Sequence, residues 1–204
     1  MDANLFAIPQ EVSNLTLPDP VELNYWNLKN NRIYWIDYDI DDSQQLMELG
    51  KEIIYLNTKE LDEQNPKPIY LYIHSYGGDL YQAFFFCDLI RASNIPIVTV
   101  ATGVSMSAGF LIFISGTRRY AFEHSQIMIH EGSASFQGTA QQIEEAQKSY
   151  KENIERMKEY IINNTCIDIK TFNKNKYRDW YVQGSDIVKL GIADKLISSF
   201  KDIV

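Results

Sequence analysis

The chain has 204 residues, of which 45% are hydrophobic and 23% are charged, and its formal net charge is −8. These values predict one ordinary soluble domain with a sizeable core, and the acidic balance argues against nucleic acid or an anionic membrane as the main partner. No apolar run approaches the roughly 20 residues that cross a bilayer, and the N-terminus lacks the features of a secretory signal, so we expect a cytoplasmic protein. Two cysteines and three histidines in separate segments predict neither a disulfide framework nor a zinc site.

The N-terminal part of the chain divides into an arm and the start of a folded region. Residues 1–24 contain three prolines and no hydrophobic period, which predicts an arm or loop, and the domain is expected over 25–204. A strand is predicted over 31–40, and a helix over 41–64. The buried side of that helix is expected to carry Leu46, Leu49, Ile53, Ile54 and Leu56. Its candidate caps are Asp41, Asp42 and Ser43.

Short apolar strands then alternate with helices. Strands are predicted at three places: 69–75, 97–102 and 125–130. Helices are predicted over 80–93, 110–115 and 139–164, and a short helix with a strand over 181–197. The segment between the second of these helices and the third strand is expected to begin with a turn, at 115–120. Alternation of this kind predicts an α/β fold with a largely parallel sheet.

Glycine occurs in two of the turns that lead from a strand into a helix, at Gly77-Gly78 and between Gly103 and Gly109. Ligands bind at the carboxyl ends of parallel strands, and glycine lets the backbone approach them closely. Neither turn has the spacing of a phosphate-binding loop. Unpaired N–H groups at such turns suit a developing oxyanion, and a serine in the second turn, Ser105 or Ser107, becomes a nucleophile if a base takes its proton.

Histidine is the expected base. His124 lies in a polar turn and is expected to be solvated, whereas His74 and His130 each end a predicted strand and are both expected near the carboxyl edge of the sheet. An acid should orient the imidazole. The residues alone leave four choices open: Asp168, Asp179, Asp186 and Asp194.

Four segments, in order, resemble the Clp protease proteolytic subunit (ClpP) family. They read IYLYIHSYGG, GVSMSAGFLIFISG, IMIHE and YRDWYVQGSDIVKLGIAD, within roughly residues 28–198. The resemblance implies a serine peptidase on a crotonase-like α/β fold, with stacked parallel strands, flanking helices and a protruding handle within 131–164. The predicted helix in that handle carries a narrow stripe, which would also suit core packing: Ala140, Ile143, Gln147, Tyr150, Ile154, Met157 and Ile161.

The resemblance implies a role for each matching residue. The catalytic positions are matched by Ser107 as nucleophile, His130 as general base and Asp179 as orienting acid. The backbone N–H groups of Gly78 and Ala108 match the oxyanion hole. Substrate is expected to be held as an added strand by Gly77, Asp79, Leu80, Glu131 and Gly132. Arg178 matches a family arginine that pairs between rings and serves oligomerisation.

The resemblance also implies partners. The family forms two stacked seven-membered rings that enclose a chamber, and it receives unfolded polypeptides from an AAA+ unfoldase, so ATP is used by the partner and this chain needs no cofactor or metal. Tyr72 matches one aromatic residue of the unfoldase pocket, but Ala92 and residues 1–24 depart from the family pattern. The identity of the unfoldase therefore stays open. Near the site, Tyr76 replaces a proline, and Glu131, directly after His130, is expected to change the pH dependence.

Three other functions remain as alternatives. The first is a catalytically silent ring subunit, and the second is a phage protease that processes capsid proteins. The third is a crotonase-type enzyme that acts on acyl-CoA. The last uses paired backbone N–H groups but no serine nucleophile at this turn. Ser105 stands where the family has alanine, and we interpret it as a packing residue.

Overall fold

The computed structural model describes residues 19–41 and 44–203, and the chain divides into two units, 1–32 and 33–204. In the first unit, helix α1 (Pro20–Asn30) is exposed along its whole length. It begins inside the predicted arm because Asp19 caps it, with Oδ1 accepting from the Val21 N–H at 2.7 Å, and proline suits a first helical turn. The rest of the predicted arm, 1–18, lies outside the described residues.

The second unit has seven strands and six α-helices among its described residues. The strands are β1 (Ile33–Ile36), β2 (Ile69–Ser75), β3 (Ile97–Met106), β4 (Arg118–Phe122), β5 (Gln126–Ile129), β6 (Trp180–Gln183) and β7 (Lys195–Ile197). The helices are α2 (Gln44–Lys59), α3 (Leu80–Ala92), α4 (Ala108–Phe113), α5 (Ala140–Asn164), α6 (Ile169–Asn175) and α7 (Ser185–Lys189), followed by a 3₁₀ turn at Phe200–Asp202.

The strands form one sheet in the order β1-β2-β3-β4-β7, and every pair in that path is parallel. Strand β3 is long enough to pair with two strands on the same side. Its first half, Val98–Ala101, pairs with β4, and its second half, Val104–Met106, pairs with β5. Strand β6 then runs antiparallel to β5. The predicted α/β class with a largely parallel sheet is confirmed.

The core lies between the sheet and its flanking helices. Helix α4 buries all six of its residues, and the inner side of α3 buries Phe86 and Cys87 completely. Helix α2 buries Leu46, Leu49, Ile53 and Leu56 as predicted, but Ile54 is 51% exposed. The prediction for Ile54 is wrong because each helical residue is turned about 100° from the one before, and the step from Ile53 carries Ile54 beyond the buried side of this helix. The predicted caps Asp42 and Ser43 lie outside the described residues.

Three elements were not predicted as such, and β3 continues past its predicted end at 102 to Met106, so that Ser105 lies in a strand and not in the predicted turn. Strand β4 begins inside the predicted turn, and its first two residues, both arginines, gave no strand signal. In the structure the Arg119 guanidinium donates to the Asn164 carbonyl oxygen at 2.6 Å. Helix α6 and strand β6 were not expected. Helix α6 is short and polar, and a capping bond from the Thr171 N–H to Asp168 Oδ1 at 2.6 Å sets its start.

Helix α5 begins as predicted, with Thr139 and Gln142 forming a capping box. Its fully buried residues all lie in the second half: Asn153, Met157 and Ile161. Gln147, placed on the predicted stripe, is exposed. The first half of α5 therefore contains no buried residue. None of the described helices has the length and apolar character needed to cross a membrane.

Candidate active site

Ser107 occupies a sharp turn between the end of β3 and the start of α4. Its backbone has φ 51° and ψ −119°, which a residue with a side chain adopts at a cost of about 1–3 kcal/mol. The Ser107 N–H donates to the Met128 carbonyl oxygen at 2.9 Å, and the Ser107 carbonyl oxygen accepts from the Phe110 N–H at 3.1 Å. These bonds hold the turn, which presents the hydroxyl at the end of the sheet in the manner of a nucleophile elbow.

A chain of hydrogen bonds joins Ser107 to His130 and Asp179. His130 Nε2 lies 2.8 Å from Ser107 Oγ, and His130 Nδ1 lies 3.2 Å from Asp179 Oδ1. The antiparallel pairing places Ile129, which ends β5, opposite Trp180, which begins β6, so the residues just beyond them meet at one edge. With Nδ1–H donating to Asp179, Nε2 keeps the lone pair that can accept the serine proton.

The other two histidines take no part in the hydrogen bonds that join Ser107, His130 and Asp179. His74 is exposed, and its Nδ1 lies 2.6 Å from the Thr102 carbonyl oxygen, to which Nδ1–H donates. His124 is exposed, as its polar turn predicted. Of the two histidines that end strands, the structure therefore brings His130 to the serine turn.

Three of the four candidate acids have other partners. Asp168 caps α6, and the hydrogen bond from the Thr171 N–H lowers the pKa of its carboxyl group. Asp186 accepts from Lys189 at 2.8 Å, and Asp194 accepts from the Arg119 N–H at 2.8 Å. Asp179 is the member of the set that contacts an imidazole.

The glycine turn after β2 packs directly against the serine turn. A Cβ atom on Gly77 would lie 2.7 Å from Ser107 Cβ and 3.0 Å from the Ala108 nitrogen. Within residues 19–41 and 44–203, the N–H groups of Gly78 and Ala108 donate no hydrogen bond to another group of the chain. Both N–H groups are thus available to a bound group, as the expected oxyanion hole requires.

A cavity of about 600 Å³ opens next to the serine. Its lining includes the apolar side chains of Leu111, Met128, Ala146 and Met157. One wall is polar, because the buried Asn153 donates from Nδ2 to the Tyr81 hydroxyl at 2.8 Å. The sequence analysis missed Tyr81 and Asn153. The sequence does carry a signal for Asn153, because it lies on one helix face with three residues that line the cavity. The four follow one another at intervals of three or four: Ala146, Tyr150, Asn153 and Met157.

Several backbone groups of the predicted substrate-binding residues at the start of α3 already form hydrogen bonds within the chain. The Asp79 N–H donates to the Ile40 carbonyl oxygen at 2.5 Å, the Asp79 carbonyl oxygen accepts from the Ala83 N–H at 3.1 Å, and its side chain caps α3. Leu80 is the first residue of that helix, and the Gly77 carbonyl oxygen accepts from the Ile40 N–H at 2.8 Å. The Asp79 N–H and carboxylate are therefore already engaged within the chain, and the expected role of Asp79 in holding substrate stays a prediction.

The residues after His130 are also engaged. The Glu131 N–H donates to the Lys176 carbonyl oxygen and the Glu131 carbonyl oxygen accepts from the Tyr150 hydroxyl, both at 3.3 Å, whereas Gly132 is exposed. The Glu131 carboxylate pairs with Lys176, not with His130. Arg178 is exposed and donates to Asn175 Oδ1 at 2.6 Å within the subunit. In the described part of the chain, no group of three or more acidic, histidine or cysteine side chains is arranged to hold a metal.

Replacing Gly78 with alanine is expected to lower kcat/KM by at least about 100-fold, because one oxyanion donor would be displaced. The φ of Gly78 is 146°, and a Cβ atom there would collide with the Ile40 carbonyl oxygen. The assay is turnover of a fluorogenic peptide, with urea unfolding as a measure of stability. Gly184→Ala is the matched control, since Gly184 has φ 57° and no neighbour within 4 Å of a built Cβ. Equal activity in both variants would contradict the assignment of Gly78.

Comparison with known proteins gives one family. A family model described as Clp protease matches residues 22–200. The ATP-dependent Clp protease proteolytic subunit of Deinococcus radiodurans is 26% identical over 181 residues, which is 87% of this chain and 86% of the relative. The ATP-dependent Clp protease proteolytic subunit 2 of Treponema denticola is 31% identical over 139 residues, which is 67% of this chain and 70% of the relative. The chain therefore belongs to the Clp protease family and is a protease.

Proposed function

We propose that the chain is a serine endopeptidase in which Ser107, His130 and Asp179 hydrolyse peptide bonds of unfolded polypeptides through an acyl-enzyme. The observation that carries this proposal is the continuous hydrogen-bond chain, 2.8 Å from Ser107 Oγ to His130 Nε2 and 3.2 Å from His130 Nδ1 to Asp179 Oδ1. It ends on a hydroxyl in a strained turn, beside two vacant amide donors.

In the first half of the proposed reaction, Ser107 Oγ attacks the carbonyl carbon of the scissile bond while His130 Nε2 takes the hydroxyl proton. The carbonyl oxygen becomes an oxyanion, which the N–H groups of Gly78 and Ala108 stabilise. The carbon–nitrogen bond then breaks, and the imidazolium gives its proton to the leaving amine. Asp179 stays ionised and holds the imidazole in the required tautomer.

In the second half, a water molecule attacks the ester on Ser107. His130 Nε2 takes a proton from this water and returns it to Ser107 Oγ when the ester bond breaks, so the enzyme is restored. The cavity beside the serine is the proposed site for the side chain that precedes the scissile bond. Its apolar lining favours a medium or large apolar side chain there.

Assembly and partners form part of the same proposal. We propose a homo-oligomer of two stacked seven-membered rings, with the serine facing an internal chamber and an AAA+ unfoldase supplying the polypeptide. Both relatives are named as ATP-dependent proteases, which supports a partner that uses ATP. The unburied first half of α5 is consistent with a surface that another subunit covers. The proposed reaction needs only water and the groups named above, so no cofactor is assigned to this chain.

The test combines size and activity on the same fractions. Size-exclusion chromatography with light scattering should show a large oligomer, and those fractions should cleave a fluorogenic peptide without ATP or CoA. Unfolded casein should be degraded faster when an unfoldase is added. An oligomer that neither turns over peptide nor reacts with a serine-directed fluorophosphonate would instead identify a silent ring subunit. Turnover restricted to acyl-CoA thioesters would identify a crotonase-type enzyme.

A further inference from the structure

An ion pair joins the two segments that carry the base and the acid. Lys176 Nζ lies 2.8 Å from Glu131 Oε1, and the two side chains are 18% and 23% exposed. Glu131 directly follows His130, and Lys176 precedes Asp179 by three positions. An exposed pair elsewhere, Lys189–Asp186, has side chains that are 69% and 64% exposed. Water and salt weaken the shielded pair less, so it can restrain structure where an exposed pair cannot.

Backbone contacts reinforce this connection. The Glu131 N–H donates to the Lys176 carbonyl oxygen at 3.3 Å, while the Lys176 N–H donates to the Phe172 carbonyl oxygen at 2.9 Å and so closes the end of α6. The Lys176 ammonium group also lies 4.7 Å from the ring centroid of Tyr177. The hydrogen bond with Glu131 raises the pKa of Lys176, which keeps the ammonium charged. The end of β5 and the loop between α6 and β6 are thereby joined at two points.

Asp179 needs such support because little else holds its side chain. The side chain is 55% exposed, and among the described residues its carboxylate contacts His130 alone. That contact, at 3.2 Å, is at the long end of the usual range for a hydrogen bond. A small movement of the loop would therefore break the link between acid and base.

We propose that Glu131 and Lys176 form a positioning pair that holds the 176–179 loop against the end of β5 and so keeps Asp179 aligned with His130. This inference rests on the proposed function, because alignment matters only if the three residues catalyse a reaction. It replaces the sequence-based expectation that Glu131 holds substrate. Neither member of the pair takes a proton or touches the reacting atoms; both act through Asp179.

The test uses charge-removing variants that keep the size of each side chain. Glu131→Gln and Lys176→Met are each expected to lower kcat by about 10- to 100-fold with KM nearly unchanged, because misplacement of a catalytic group by about 1 Å has effects of this size. The kcat of the double variant should be no lower than that of the less active single variant, because either change alone breaks the ion pair. Lys189→Met is the matched control and should retain full activity.

Two kinetic results would overturn the proposal. If the effects of the single variants multiply in the double variant, the two residues act separately. If Glu131→Gln raises KM and leaves kcat unchanged, Glu131 binds substrate as the sequence suggested.

A structural readout separates this proposal from the proposed function. A crystal structure of Lys176→Met should show a longer distance between His130 Nδ1 and Asp179 Oδ1 than the wild-type crystal structure does, and an unchanged distance would overturn the positioning role. This measurement decides the point even if the wild-type protein cleaves no peptide, in which case only the catalytic proposal fails.

Discussion

Replacing Ser107 with alanine is expected to lower kcat for peptide hydrolysis by about 10⁶-fold, to near the uncatalysed background. The hydroxyl is the atom that would form the acyl-enzyme, and neither the imidazole nor the amide donors can replace it. The fold should survive, since alanine removes only one half-buried oxygen. Turnover of a fluorogenic peptide by the purified variant measures the effect, and thermal unfolding checks the fold.

Ser105 provides a matched control two residues earlier, in strand β3. It is completely buried, and its hydroxyl donates to the Gly109 carbonyl oxygen at 3.5 Å, the outer limit of a hydrogen bond. Ser105→Ala should therefore keep activity within a few-fold of wild type. A result in which Ser105→Ala is inactive and Ser107→Ala retains turnover would reverse the assignment of the two serines.

Replacing Asp179 with asparagine is expected to lower kcat by about 10⁴-fold. The asparagine amide can donate to His130 Nδ1, which would put the imidazole proton on Nε2 and leave no lone pair facing Ser107. Substrate binding does not involve this carboxylate, so KM should change little. Steady-state kinetics on the same peptide separate the two parameters.

Asp168→Asn is the control for this change of charge. Asp168 caps α6, and asparagine is as good a cap as aspartate, so stability and activity should both stay close to wild type. If Asp179→Asn were as active as Asp168→Asn, another acid would have to orient His130.

Much of the fold could be predicted because local signals agreed with the tertiary structure. Strand β2 was predicted at its observed bounds, Ile69–Ser75, because an apolar run rich in aromatic and β-branched residues is bounded by Pro68 and by Gly77. Helix α5 was predicted over 139–164 and is observed over Ala140–Asn164, and its sequence carries apolar residues at spacings of three and four. By contrast, β4 begins with two arginines, and α6 contains two lysines and two asparagines among its seven residues, so neither segment carries a clear apolar pattern.

The site was predictable only in part. The residues alone offered two serines in one turn and four aspartates, and the resemblance to a family selected Ser107 and Asp179 from them. The structure distinguishes the serines physically, because Ser105 is buried and Ser107 has a positive φ. Lys176 gave no local signal, since its pairing with Glu131 depends on how α6 and β6 return to the end of β5.

The most direct test is to react the assembled protein with a fluorophosphonate and locate the adduct by intact mass and peptide mapping. We predict one adduct per chain, on Ser107, with a rate that falls sharply in His130→Ala. Peptide turnover that persists after residue 107 is fully modified, or an adduct on a different serine that accounts for the lost activity, would contradict the assignment of Ser107 as the nucleophile.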